Sequence, residues 1–346
     1  MRILWVHNFT PNVVSSGVFM HELLEQMRSL GLDVTAHYTG YLRGVSRIAL
    51  AARRVRALSK DYDLVHAQFG SACGLVTSFA KGPKLLTLRG TDLLGEDRGN
   101  WLTLTHGMAC RWLNRLSLRS YKHVVVMSNR MREELETTFH PRATVEVIPD
   151  GIDLEQFRPI DRMEARRQLG EGQDTSPWVL FSSVTGLNRP LKRYDLAAAA
   201  FEILKKQRPD AQLKFLADVT HDRVPLWVNA CNVVLLTSTR EGWPNIIKEA
   251  LACNVPFVST DVSDLRQIAD VEPSCIVTDA TPEACAQGLD EVIDCQDNAD
   301  LRRHVEQMDI GTIGNQLKQL YEKICDPSGE LPAQRISRRS TTTPGR

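Results

Sequence analysis

A chain of 346 residues exceeds the roughly 100 to 200 residues of an ordinary domain, so two separate cores are expected. Hydrophobic residues make up 42% and charged residues 24%, which excludes a disordered chain and leaves ample material for both cores. Lysine plus arginine and aspartate plus glutamate number 42 each, so no global field draws the protein to nucleic acid, while a local basic patch stays open.

The opening MRILWVHNF reads as a first buried strand and not as a signal peptide, because one arginine and a short apolar run soon meet polar residues. A loop with Pro11 and Gly17 leads to the amphipathic stretch FMHELLEQMRSLG, which stops at Gly31. The alternation continues with LDVTAHYT, a basic helical segment over 43–59, the strand LVHAQF, a short helix after Ser71 and the strand KLLTLRG. A long helix is predicted from Trp101 to Tyr121, with Leu104, Met108, Trp112, Leu113 and Leu116 on one broad face. HVVVMS, the helix RMREELETTF and VEVIPDGID complete a first unit over residues 1–165.

The polar segment RRQLGEGQDTSP, with Gly170, Gly172 and Pro177, reads as a linker. A second alternation runs WVLFSSV, DLAAAAFEILKKQ, AQLKFLA, PLWVNA, NVVLLTS, NIIKEALAC and PFVST, giving a second unit over 176–312. A helix over 313–326 is expected to pack back on the first unit, and 327–346, rich in Pro, Ser, Thr, Gly and Arg, to be a disordered tail. Strands alternating with helices imply two α/β domains with parallel sheets, whose carboxyl ends face a common ligand cleft. No run approaches the ~20 apolar residues of a membrane span. The eight cysteines form no C-x-x-C pair and are expected as buried thiols in a reducing, cytoplasmic setting.

The motif that selects a chemistry is STREGWPNIIKEALACNVPFVST. After an apolar strand the chain passes Glu241 and Gly242, turns through Trp243 and Pro244, and enters a helix near Asn245, whose first-turn N–H groups suit a diphosphate. Glu249 lies about 6 Å further along that helix and could clamp a ribose diol, or simply face water or pair with Lys248. Arg189, Lys192 and Arg193 follow another buried strand, where a solvated rim is the plain alternative. Asp92 in LRGTDLLG reads as the cap of a short helix beside Arg89, and His66 as a satisfied core or cleft-edge residue. The nine histidines are dispersed, so no metal cluster is expected. The loop before the first helix lacks GxGxxG, which argues against a dehydrogenase.

The pair Glu241 and Glu249, within EG.PN..KEA.AC..P.V, resembles the E-x7-E signature of the retaining family 4 glycosyltransferases of the GT-B fold. The resemblance covers roughly residues 1–325 and implies GT-B architecture, two Rossmann-like parallel-sheet domains around a central cleft. It implies that Glu249 binds the nucleotide ribose, that Glu241 contacts hydroxyls of the transferred sugar, and that the amides of Gly242, Trp243, Asn245 and Ile246 approach sugar or phosphate. Lys192, and less securely Arg189, would neutralise the donor diphosphate; the glycine usual after the lysine is Arg193 here. Gly17 would pass below the donor, with Ser16 where a second glycine is usual. Arg89 stands where relatives carry a histidine near the transferred sugar, and Asp150 replaces the common asparagine of VIPNG.D..F.P. The arginine retains donors but cannot shuttle a proton near neutral pH.

The implied activity is metal-independent, hexosyltransferase-like transfer from a UDP- or GDP-sugar to a saccharide or lipid-linked acceptor in surface polysaccharide synthesis, with no resident cofactor. Alternatives are an inverting GT-B enzyme and a non-catalytic sugar-nucleotide-binding partner. Arg43, Arg47, Arg53, Arg54, Arg56 and Lys60, together with Arg111, Arg115 and Arg119, suit a peripheral enzyme at the anionic inner face of the cell membrane; two ordinary amphipathic helices remain the other reading. Oligomeric state is not legible.

Overall fold

The computed structural model describes residues 1–10, 17–95, 101–182, 190–216, 219–295 and 300–326. The predicted tail over 327–346, Ser16 and Arg189 lie outside the described residues. The first half runs β1 (Arg2–His7), α1 (Val18–Ser29), β2 (Asp33–Tyr38), α2 (Val45–Leu58), β3 (Leu64–Ala67) and α3 (Ser71–Ser78). It continues with β4 (Lys84–Leu88), α4 (Thr91–Leu94), α5 (Trp101–Ser117), β5 (His123–Val126), α6 (Asn129–Phe139) and β6 (Thr144–Val147). The second half comprises α7 (Arg162–Gln168), β7 (Trp178–Ser182), α8 (Tyr194–Gln207), β8 (Gln212–Leu216), α9 (Val224–Ala230) and β9 (Val233–Leu236). It ends with α10 (Asn245–Ala252), β10 (Phe257–Thr260), α11 (Leu265–Ala269), β11 (Ile276–Thr278), α12 (Pro282–Asp294) and α13 (Ile310–Cys325).

Every described strand pairing is parallel. The first sheet has the order β2-β1-β3-β4-β5-β6 and the second β11-β10-β9-β7-β8. Chain direction across the sheet reverses between β1 and β3 and between β7 and β9, the positions at which open α/β sheets hold ligands. Parallel strands covered on both faces must be apolar throughout, and Trp178, Val179, Leu180 and Phe181 are all buried. Trp178 and Leu180 join one core while Val179 and Phe181 join another with Phe201, Leu204 and Leu289 across the sheet. The larger core is continuous from the first sheet through Ile152, Phe157 and Trp243 to the second.

The connection between the halves is fastened on itself. Ile152 donates its N–H to the Met308 carbonyl, Ile310 donates back to Ile152, and both bonds are 2.9 Å. The Arg302 guanidinium holds the carbonyls of Leu154, Phe157 and Ala252 at 2.6–2.7 Å. From there α13 lies against α1, and Tyr321 on it accepts the Trp5 indole N–H at 2.8 Å and meets His66 Nδ1 at 2.6 Å.

Two loops touch where the halves meet. Gly90 has φ +135°, a conformation side-chain-bearing residues rarely adopt, and a Cβ there would sit 2.9 Å from the Gly242 nitrogen. A Cβ on Gly242 would overlap the Arg89 carbonyl. Beside this contact, the Asp264 carboxylate accepts the N–H groups of Asn129 and Arg130, at 2.8 and 3.0 Å, an anion at the positive end of α6. Gly242→Ala is therefore expected to force the two loops apart and lower stability in urea unfolding by about 1–3 kcal/mol. Unchanged stability and an unchanged radius of gyration would contradict the contact.

Candidate active site

The second half contributes the end of β9 and the turn into α10. Beyond Leu236 the chain is pinned to the turn that follows β7: Thr237 Oγ1 donates to the carbonyls of Lys192 and Arg193 at 2.7 and 2.9 Å, and Thr239 N–H to that of Leu191 at 2.9 Å. These bonds fix Lys192 at the β7/β9 reversal, where its Nζ donates to Glu241 Oε1 at 2.6 Å. Ser238 Oγ donates to the same oxygen at 2.7 Å. Arg193 has φ 51°, so the position where the family motif has glycine requires the left-handed region, at roughly 1–2 kcal/mol for a side-chain-bearing residue. Gly242, held by Ser263 Oγ on its carbonyl at 2.7 Å, precedes the buried Trp243 and Pro244 and the first residues of α10, Asn245 and Ile246.

Glu249 and Lys248 leave α10 toward different surroundings. Lys248 is buried and donates to the Asp150 carbonyl at 2.6 Å, and burial pushes its ammonium down to about 7. It does not neutralise Glu249 by a direct hydrogen bond. The half-buried Glu249 carboxyl is pushed up to about 7 by burial, with Glu22 adding to the rise and His221 and Lys248 opposing it. Near neutrality this carboxyl is poised between acid and anion, and an incoming diol could take either a donor or an acceptor from it.

The first half contributes Arg89, Asp92, Gly17 and Glu22. Arg89 is committed: its guanidinium pairs with the Asp150 carboxylate, donates to the Gln68 carbonyl and side chain at 3.0 and 2.8 Å, and lies over the Phe19 ring at 4.5 Å. Burial pushes its pKa down to about 10, still charged at neutral pH. Asp92 was expected as a helix cap. It sits inside the first turn of α4 and instead accepts the N–H groups of Gly70, Arg89 and Gly90 at 2.7–2.8 Å, fixing the loop that meets Gly242. Gly17, at φ 77°, directly precedes α1, and a Cβ on it would press on Phe9. His66 is a core residue, bonded to Tyr321, Thr87 and Gln68, and burial pushes its pKa well below the ordinary histidine value.

The structure thus brings Lys192, Glu241, Gly242 and Arg89 together and puts Glu249 beside Glu22 and His221; Arg189 lies outside the described residues. Sequence reasoning missed Glu22, Gln68, His221 and Lys248 as parts of the site. Glu22 on α1 and His221 before α9 meet across the two halves at 2.9 Å. No local pattern marks Glu22, His221 and Lys248, because their partners are far away in sequence. Among the described residues no group of three His, Cys, Asp or Glu side chains is placed to hold a metal ion.

The family model for Glycosyltransferase Family 4 matches residues 13–156, and that for Glycosyl transferases group 1 matches residues 197–295. A D-inositol 3-phosphate glycosyltransferase of Paenarthrobacter aurescens (strain TC1) is 30% identical over 180 residues, covering 43% of each chain. TuaC of Bacillus subtilis (strain 168), named for teichuronic acid biosynthesis, is 23% identical over 84% of this chain and 88% of its own. The match thus spans under half the length of the D-inositol 3-phosphate enzyme and most of TuaC. Among solved structures, sucrose-phosphate synthase of Thermosynechococcus elongatus superposes with a TM-score of 0.74 at 16% identity, over 93% of this chain and 99% of that one. HepE of Anabaena, solved with UDP-glucose, gives 0.69 at 16% identity over 93% and 100%.

Two facing parallel-sheet domains with this superposition define the GT-B fold. The chain is a GT-B protein related to the family 4 glycosyltransferases.

The Glu22 to His221 pair gives a pH test. His221 is raised above the ordinary histidine value, first by its hydrogen bond to Glu22 and further by the Glu249 and Asp222 charges, against burial. A raised folded-state value means that the pair's stabilisation is complete below about pH 6.5 and is lost as pH rises through the folded value. His221→Gln should therefore cost about 1 kcal/mol at pH 6 and almost nothing at pH 9. A cost independent of pH would contradict the bridge.

Proposed function

We propose that this protein transfers a glycosyl unit from a nucleoside diphosphate sugar, UDP- or GDP-linked, to a saccharide or lipid-linked acceptor in surface polysaccharide synthesis, with retention of configuration. The observation that carries the reading is the Lys192–Glu241–Ser238 cluster at the β7/β9 reversal, facing the Gly90 loop of the other sheet. A ligand held there touches both halves. Residues 176–312 form the donor-side domain and 1–165 the acceptor side, with the helix of residues 313–326 returning to the latter.

The step needs charge stabilisation at the leaving group. As the anomeric C–O bond to the diphosphate breaks, negative charge grows on the phosphate oxygen, and the Lys192 ammonium and the amides opening α10 offset it. The acceptor oxygen forms the new bond on the same face and its proton passes to the departing diphosphate. Both described hydrogen bonds to Glu241 fall on Oε1, so Oε2 retains acceptor capacity for a sugar hydroxyl among the described residues. Glu249 takes the ribose. Arg89, tied to Asp150 and Gln68, acts by holding the Gly90 loop and adding positive potential, not by proton transfer. The names of TuaC and of HepE with UDP-glucose support the class of donor and acceptor. No helix among the described residues is long and apolar enough to cross a membrane, and work at the inner membrane face is peripheral in this reading.

Lys192→Ala should lower kcat by about 10²–10³ with a smaller change in donor KM, and Glu249→Ala should chiefly raise donor KM. NMR of the fresh product, formed in the presence of a chelator, should show retention at the anomeric carbon. An inverted linkage, or wild-type constants in both variants, would contradict the assignment.

A further inference from the structure

Helix α5 is turned inside out. Four of its large apolar side chains, Trp101, Leu104, Met108 and Trp112, are 70%, 45%, 69% and 62% exposed, while Leu113 and Leu116 are half-buried. At spacings of three, four and four residues the exposed four form one stripe about 16 Å long. The opposite side, Gly107, Cys110, Asn114 and Ser117, is buried.

This orientation is fixed by what lies beneath the helix. Asn114 is fully buried, donating to the carbonyls of Asp92 and Leu93 at 2.5 and 2.8 Å and accepting the Ser71 N–H at 2.6 Å. Gly107 leaves room for Gly95, on which a Cβ would overlap the Gly107 backbone. Rotating the helix to bury the tryptophans would orphan these buried polar groups and drive a large side chain into Gly95.

The surroundings are cationic. α3 packs between α2 and α5. Residues 41–60 carry Arg43, Arg47, Arg53, Arg54, Arg56 and Lys60, residues 101–122 carry Arg111, Arg115, Arg119 and Lys122, and neither stretch contains an Asp or Glu. Ten cations without an acid thus fall within two stretches of a chain of zero net charge. Val45 and Leu50 on α2 are also exposed, at 85% and 51%. A cavity of about 240 Å³ lined by Tyr41, Arg43, Phe69, Thr91, His106 and Cys110 opens between the start of α2 and the first half of α5.

We propose that the α2–α3–α5 face docks on an anionic lipid bilayer, with α5 lying in the interface and Trp101, Met108 and Trp112 entering it. Cations without acids select an anionic partner; bulky apolar side chains among them, two of them tryptophan, select one with an apolar interior beneath its charge. The cavity then lies at the bilayer edge, where an acceptor anchored in lipid reaches it without leaving the membrane. This deepens the membrane part of the function proposed above and identifies α5, not the arginines of α2 alone, as the element that inserts.

The test is flotation of the full chain with vesicles of phosphatidylcholine alone and of phosphatidylcholine with phosphatidylglycerol, alongside UDP-sugar binding in solution. The wild type should float with the anionic vesicles at low salt and its tryptophan emission should shift to the blue. Trp101→Ser with Met108→Ser and Trp112→Ser should reduce binding at least tenfold. Arg47→Gln with Arg53→Gln and Arg54→Gln should reduce it severalfold and remove most of its salt dependence. Both variants should keep the melting temperature and nucleotide-sugar affinity. Wild-type flotation by the triple serine variant, or none by the wild type, overturns the proposal. So does preferential binding of single-stranded DNA, or a dimer that only the serine variant loses. Loss of vesicle binding with nucleotide-sugar binding intact removes this surface alone, whereas the reverse removes the transferase reading and leaves the surface standing.

Discussion

The arrangement depends on a closed contact between two backbones. Gly90, at the end of the first sheet, and Gly242, at the end of the second, approach so closely that neither tolerates a Cβ. Each side of that contact is braced. Asp92 collects three backbone N–H groups to hold the Gly90 loop, and Ser263 holds the Gly242 carbonyl. Asp150, in the strand-to-linker turn, then joins the halves: its carboxylate takes Arg89 from the first and its carbonyl takes Lys248 from the second. Removing one partner of a buried ion pair typically costs about 3–5 kcal/mol, because the other charge is stranded, so these residues tie the two halves together. The candidate site inherits its geometry from this clamp.

The clamp explains two departures from the family pattern that look unrelated in the sequence. Arginine replaces a histidine at 89 and aspartate replaces an asparagine at 150, and the two new charges are opposite and bonded. A residue that reads as a catalytic donor is therefore a positioning residue whose charge is already matched. Lys248 completes the same cluster, and its neighbour Glu249, whose proton affinity burial raises to near neutrality, is left with Glu22 adding to that rise and His221 opposing it.

The alternation of strands and helices was legible because parallel strands must be apolar on both faces, which WVLFSSV and NVVLLTS display without ambiguity. The Glu241 to Glu249 spacing was legible because strand, turn and helix are contiguous there. Contacts between segments far apart carried no signal: Glu22 meets His221 about two hundred residues away, and Tyr321 bonds Trp5 across nearly the whole chain. Periodicity also misled in one place. The broad face of Leu104, Met108, Trp112, Leu113 and Leu116 is split: the buried side of α5 is set by Asn114 and by close backbone approach at Gly107, so the first three point outward and Leu113 and Leu116 are half-buried. Amphipathicity identifies two faces of a helix; the hydrogen bonds beneath decide which one is covered.

The central claim is that the braced cleft between the two sheets holds a nucleoside diphosphate sugar. Its most direct test is the melting temperature of the wild type and of Glu249→Ala against UDP-, GDP-, ADP- and TDP-sugars. One nucleotide class should stabilise the wild type, by about 2.7 kcal/mol at a hundred times Kd, and the variant should require a much higher concentration for the same shift. Absence of stabilisation by every nucleotide sugar, or identical curves for wild type and variant, would contradict the account.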